Sequence, residues 1–222
     1  MRIVIIDGLI NSSILVNLDK LTLLKVIDSK VCKKNHKDEC KGITHATIVT
    51  RIIEQYGHYD KLDHIEILNQ EGFGNIDDLI VALKWCISQD VDIINLSLGT
   101  TCEEDFEELG IVCEQLINQG KIIIAAEHNL GYYAMPSSLN KVLSVKTIRT
   151  PFFIIWDKKK NRMLTNGKIW ITTKDNGHIK TQSFNSYACA YITSLISKKG
   201  TGVYCEKIKN RRGFQVFWKR RK

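Results

Sequence analysis

Asp7, His45, Asn129 and Ser186 are polar residues that fall at or just after the ends of short apolar runs or at the starts of helical periodicity. An acid, a histidine and a serine at such junctions can assemble a nucleophile, the base that takes its proton and the group that orients that base. Each also has an ordinary use: Asp7 as a turn cap, His45 as a satisfied core histidine, Asn129 as a left-handed loop residue and Ser186 as a helix N-cap. On spacing alone both readings stay open. Cys32, His36 and Cys40 form Cys-x3-His-x3-Cys in a Lys-rich stretch, with Asp38 or His58 as a conceivable fourth zinc ligand. Structural zinc sites normally show paired Cys-x2–4-Cys ligands, so free thiols and a surface histidine compete with the metal and none is assigned. Cys189, one turn after Ser186, reads as a small helix-packing residue. Gly72 and Gly74 make a lone Gly-x-Gly without the strand and third glycine that a dinucleotide site needs.

The elements that must position these residues are legible as alternating periods. Arg2 to Ile6, His64 to Leu68, Asp92 to Leu98, Lys121 to Ala126 and Val142 to Ile148 read as buried strands. Thr44 to Gln55, Asn75 to Gln89, Glu103 to Asn118 and Asn185 to Ser197 carry apolar residues at helical spacing. Strand alternating with helix predicts an α/β fold, a doubly wound, mostly parallel sheet with helices on both faces. Reactive groups in such sheets gather at the carboxyl ends of strands and the helix starts beyond them, where the four residues lie. Phe152 to Trp156 and Lys168 to Thr172 are expected to form a later hairpin bridged by a Lys158 to Gly167 loop.

The residues flanking the four positions resemble those of the subtilisin-like serine peptidases. Ile3-Val4-Ile5-Ile6-Asp7-Gly8 is similar to their first strand ending in an aspartate, without the usual Ser or Thr before Gly. Thr44-His45-Ala46-Thr47-Ile48-Val49 is similar to their His-Gly-Thr-x-Val helix, with Ala46 in place of Gly. Ile93-Ile94-Asn95-Leu96-Ser97-Leu98-Gly99 matches the strand that ends in Ser-x-Gly. Ile122 to Asn129 resembles the strand ending Ala-Ala-Gly-Asn, and Asn185-Ser186-Tyr187-Ala188 resembles Thr-Ser-Met-Ala. The chain order Asp, His, Ser is also theirs. Ala190 and Tyr191 stand at the usual Pro and His. The resemblance implies a catalytic Asp7, His45 and Ser186, with Asn129 donating to the oxyanion. It further implies that Ser97, Leu98 and Gly99 pair with the substrate backbone, and that Glu127 and His128 line the pocket beside Asn129.

The implied activity is a serine endopeptidase, expected to be a dedicated processing enzyme for one peptide or protein. A catalytically inactive peptide-binding or regulatory module is the alternative, and an unrelated α/β hydrolytic or nucleotide-binding protein is a more distant one. The acids Glu103, Glu104 and Asp105 favour either a basic substrate residue or simply a helix start. Neither cofactor nor metal is implied. No 18-residue apolar run or signal core is visible, and seven cysteines without framework spacing fit a reducing, cytoplasmic setting. Residues 1–204 read as one peptidase domain and 205–222 as a basic tail. Of the 18 residues from Cys205 to Lys222, eight are Lys or Arg and one is acidic, leaving 24 basic and 23 acidic residues before them. That placement argues against a nucleic-acid-binding surface on the body and leaves the tail for an acidic partner.

Overall fold

The computed structural model describes residues 1–34, 42–149 and 154–199. The tail at 205–222, with His36, Asp38 and Cys40 of the cysteine/histidine stretch, lies outside them. Its centre is a nine-stranded sheet in the order β3-β2-β4-β1-β5-β6-β7-β9-β8. The strands are β1 (Arg2–Asp7), β2 (Leu21–Ile27), β3 (Lys30–Lys33), β4 (Lys61–Glu66), β5 (Ile93–Leu96), β6 (Ile122–Ala126), β7 (Leu143–Thr147), β8 (Ile155–Asp157) and β9 (Arg162–Thr165). From β2 to β9 every pairing is parallel, while β3 and β8 close the two edges antiparallel. The α/β prediction therefore holds for the body of the sheet.

The side-chain alternation of the strands divides the core in two. Ile3, Ile5, Ile93 and Ile124 face α1 (His45–Tyr56) and α4 (Asn185–Lys199), packing on Val49, Ile52, Ile53, Ala188 and Ile192. Val4, Ile6, Ile94, Leu96 and Ile123 face α2 (Ile76–Ile87) and α3 (Phe106–Asn118), packing on Leu79, Leu83, Leu109 and Leu116. The five Ile/Val-rich strands and the four helices fall where expected, with boundaries shifted by a few residues. The third helix is preceded by a 3-10 turn, Glu103–Asp105, that holds the acids read as a helix start.

The late hairpin is a correction. β8 pairs with β9, which falls inside the stretch expected to be a loop, and β10 (Trp170–Thr172) pairs with β11 (His178–Lys180) as a separate two-stranded ribbon. Ser97, Leu98 and Gly99, expected to extend the third strand, lie just beyond the end of β5. Among the described residues no helix is long and apolar enough to cross a membrane.

Candidate active site

Asp7 is the last residue of β1, between β4 and β5, and shares the parity of Ile3 and Ile5. Its side chain therefore turns toward the face covered by α1 and α4, whose first turns supply His45 and Ser186. The start of α1 is tied to the loop after β1. Thr44 caps the helix by accepting from the Thr47 N–H at 3.1 Å and donates its hydroxyl to the Leu9 carbonyl at 2.5 Å. Thr47 Oγ1 accepts from the Asn11 N–H at 2.8 Å. Those contacts bring His45 Nδ1 within 3.1 Å of Asp7 Oδ1, which also accepts the Gly8 N–H at 2.8 Å. With Nδ1–H donated to the carboxylate, Nε2 is left as the basic nitrogen.

Burial of the imidazole pulls its pKa down, but attraction to Asp7 and the hydrogen bond to it together outweigh that, and the His45 pKa rises above its ordinary 6.5. The ring also stacks on Tyr187, with centroids 5.3 Å apart and planes 27° from parallel. His64, fully buried on β4, donates Nε2–H to the Gly8 carbonyl at 2.8 Å, and burial drives its pKa down so that it stays neutral. It fixes the residue next to Asp7 without adding charge.

Ser186 is nearly buried in the first turn of α4, where backbone N–H groups lack helical acceptors. Its carbonyl accepts from Ser97 Oγ at 3.3 Å, and Ser97 accepts from the fully buried Asn95 at 3.0 Å. Asn95 in turn accepts from Thr193 Oγ1 at 2.8 Å, so α4 is pinned to β5 by a polar chain inside the core. Asn185 ties the same helix start to the neighbouring strands. Its Nδ2 donates to the Glu127 carbonyl at 2.8 Å, and its Oδ1 accepts from the Thr147 N–H at 2.7 Å. The Asn185 N–H is accepted by Asn129 Oδ1 at 3.2 Å, which leaves the donor end of the Asn129 amide for the cavity it lines.

That cavity, about 330 Å³, is lined by His45, Ser97, Leu98, Gly99, Glu127, His128, Asn129 and Ser186 among others. Every sequence-derived site residue except Asp7 thus borders one space, and Asp7 borders the adjoining one. The Glu127 carboxylate accepts from Ser144 Oγ at 3.2 Å and lies 3.5 Å from Arg162 and 4.0 Å from Lys146, so its charge is balanced. His128 Nδ1 accepts the Leu130 N–H at 3.2 Å, and its ring lies against Tyr132.

A second cavity of about 780 Å³ shares His45, Ser97, Leu98 and Gly99 with the first. Its far wall is the segment from Ile67 to Asn75, immediately after β4, which sequence reasoning set aside as a lone Gly-x-Gly. Position, not composition, was the usable signal, since β4 is the parallel neighbour of β1. A Cβ on Gly74 would sit 2.7 Å from the Ile67 carbonyl oxygen, and one on Gly99 would sit 2.6 Å from that of Met135. Both glycines are needed to keep the walls where they are. Cys189, expected to pack, is fully buried among Asn95, Leu96 and Ile124 and its thiol pKa is pushed up by that burial. Cys32 is on β3, and among the described residues no group of three His, Cys, Asp or Glu is placed to hold a metal.

The layered α/β architecture recurs in solved proteases. The structure of prenylagaramide maturation protease PagA aligns with a TM-score of 0.63 and 19% identity over 89% of this chain and 74% of that one. A mutant of the protease domain of PatA aligns with a TM-score of 0.67 and 18% identity over 89% of this chain and 78% of that one. No family model matches the sequence. Among curated proteins, the Intracellular serine protease of Paenibacillus polymyxa is 27% identical over 146 residues, 60% of this chain and 43% of that protein. The Minor extracellular protease Epr of Bacillus subtilis (strain 168) is 34% identical over 67 residues, 30% of this chain and 10% of that protein. The chain thus spans less than half the length of either relative. In fold and in sequence the chain is thus similar to subtilisin-like serine peptidases.

Proposed function

We propose that the chain is a serine endopeptidase. Ser186 Oγ attacks a peptide carbonyl as His45 Nε2 takes its proton, and Asp7 holds the imidazole and balances the charge it gains. The carbonyl oxygen becomes an anion facing the Asn129 amide and the Ser186 N–H. His45 then returns the proton to the leaving amine, and water hydrolyses the acyl-serine by the same route. The observation that carries this reading is the 3.1 Å bond between Asp7 and His45 at the edge of a cavity that His45 shares with Ser186 and Asn129.

Ser97, Leu98 and Gly99 offer an edge to an extended peptide, which gains affinity through backbone hydrogen bonds and specificity through side-chain pockets. The enzyme is a processing peptidase of narrow scope acting in the cytoplasm on one peptide or protein. The names of two similar proteins support that scope, one being a maturation protease and another an intracellular serine protease.

One observation favours a second reading, a peptide-binding module without cleavage: among the described residues Ser186 Oγ has no hydrogen-bond partner and does not bond His45. Catalytic hydrogen bonds often tighten only when substrate is bound, so the peptidase is preferred. A fluorophosphonate serine-hydrolase probe separates the two. Labelling located at Ser186 by mass spectrometry, and abolished by Ser186→Ala and by His45→Ala, is the expected result. A folded protein that takes no label would turn the reading to the binding module, or to an enzyme completed only when its partner binds.

A further inference from the structure

The larger cavity is polar in one sign. Among the described residues lining either cavity there is no Lys or Arg, while Asp7 and Asp105 border the larger one. Exposed Glu71 lies between lining residues Gln70 and Gly72, exposed Asp77 comes directly after Ile76, and exposed Glu103 and Glu104 precede Asp105. Thr100 holds Asp105 toward this rim through a 2.8 Å hydrogen bond. Between the acids lie the apolar Ile67, Leu68, Phe73, Ile76, Leu79 and Leu98, with Phe73 70% exposed, beside the uncharged Asn69, Gln70 and Asn75. An occupant that suits this surface is extended, basic and interrupted by large apolar side chains.

The chain itself contains such a segment. Residues 205–222 carry a net charge of +7, with Ile208, Phe214, Phe217 and Trp218 set among the basic residues. The geometry of α4 brings it within reach. Ser186 lies at the cleft and Lys199 thirteen residues on, about 20 Å away at 1.5 Å per residue. The far end of α4 packs beside the start of β4, where Ser197 Oγ accepts the His58 N–H at 3.0 Å, so α4 ends at the opposite end of the strands from the cleft. About seven residues span that distance if extended at ~3.3 Å each, so Lys207 and the rest of the segment are long enough to reach the cleft.

We propose that the acid-rimmed cleft takes segment 205–222 of its own chain, its lysines and arginines on the acidic rim and its aromatic residues on the apolar floor. Resting on the peptidase reading, the contact is autoinhibitory: the segment occupies the space a substrate needs, and a substrate must displace it.

The test is zero-length carbodiimide crosslinking of the full chain carrying Ser186→Ala, then digestion and mass spectrometry. Crosslinks from Lys207, Lys209, Lys219 or Lys222 to Glu71, Asp77, Glu103, Glu104 or Asp105 are expected. They should fall severalfold at 1 M salt, where the screening length is about 3 Å, and in a Glu71→Gln/Glu103→Gln/Glu104→Gln variant. Crosslinks spread over the other exposed acids, such as Glu108 and Glu114, would overturn the docking. So would crosslinks that join isotopically distinct copies in a mixed sample, because the occupant would then be a second copy. With Ser186 intact, Lys207→Glu/Lys209→Glu/Arg211→Glu/Arg212→Glu is expected to raise kcat/KM on a short peptide severalfold, and an unchanged value would overturn autoinhibition. Cleft crosslinks in a chain that does not label with fluorophosphonate even as the Lys207→Glu/Lys209→Glu/Arg211→Glu/Arg212→Glu variant would retain the docking and remove the peptidase. Labelling without cleft crosslinks would do the reverse.

Discussion

On the proposed mechanism, activity and stability should respond to acid at His45 in opposite directions. Its pKa lies above 6.5 because attraction to Asp7 and their hydrogen bond exceed the effect of burial. Only the neutral imidazole accepts the serine proton, so kcat/KM should fall as pH drops through a value above 6.5. The same Asp7 attraction favours the folded state below pH 6.5, and that contribution is lost as pH rises through the raised pKa. Asp7→Asn should move the acid limb downward and reduce kcat by about 10⁴, as the equivalent change does in another serine protease. A pH–rate profile checks both, and an unmoved limb would remove Asp7 from its role. Tyr187, on the other face of the ring, is where this chain departs from the methionine of the family motif. Tyr187→Leu should lower kcat by about 2- to 10-fold, the range of an aromatic pair, and shift the limb, while Tyr187→Phe restores both. Loss of rate with an unshifted limb, or failure of Phe to restore it, would reduce Tyr187 to packing.

The elements show why some of the fold was legible. Asp7, His45 and Ser186 could be found because each ends a strand or opens a helix, and Asn129 because it follows closely on one, positions set by hydrophobic period. Asn95, Asn185 and Tyr187 could not, since their roles come from contacts between elements remote in sequence. The β2–β3 hairpin escaped notice for a local reason: it turns on Asp28 and Ser29 with φ of 47° and 58°, left-handed positions normally signalled by Gly or Asn. In β8–β9 the corresponding left-handed residue, Asn161, comes after three lysines that read as loop. Helix α1 offers a test of positioning at this scale. Thr44→Ala removes the cap and the bond to Leu9, and should cost about 1 kcal/mol in urea denaturation, in line with other lost N-caps. Activity should fall as well, because the same hydroxyl anchors the turn that sets His45 against Asp7. Full activity at reduced stability would show that His45 is placed by the core alone.

Taken whole, the molecule sets its candidate site on the helices of one face of the sheet and buries a core on both. α1 and α4 supply His45 and Ser186, whereas α2 and α3 cover Val4, Ile6, Ile94 and Ile123 from behind. The strands belong to both layers, since alternate residues of β1 enter each core, so neither layer can open without exposing the other. Leu83, fully buried on α2, contributes to the second layer only. Leu83→Ala should destabilise the protein by roughly 2–5 kcal/mol, the range for a leucine truncated in a close-packed core. Because the sheet is shared, the loss should appear as one cooperative transition, with tryptophan fluorescence and fluorophosphonate reactivity disappearing at the same denaturant concentration. Below that concentration the folded variant should label at the unaltered rate. Two separated transitions, or slow labelling in the fully folded range, would mean that α2, whose Ile76 and Leu79 line the larger cavity, also sets the positions of His45 and Ser186.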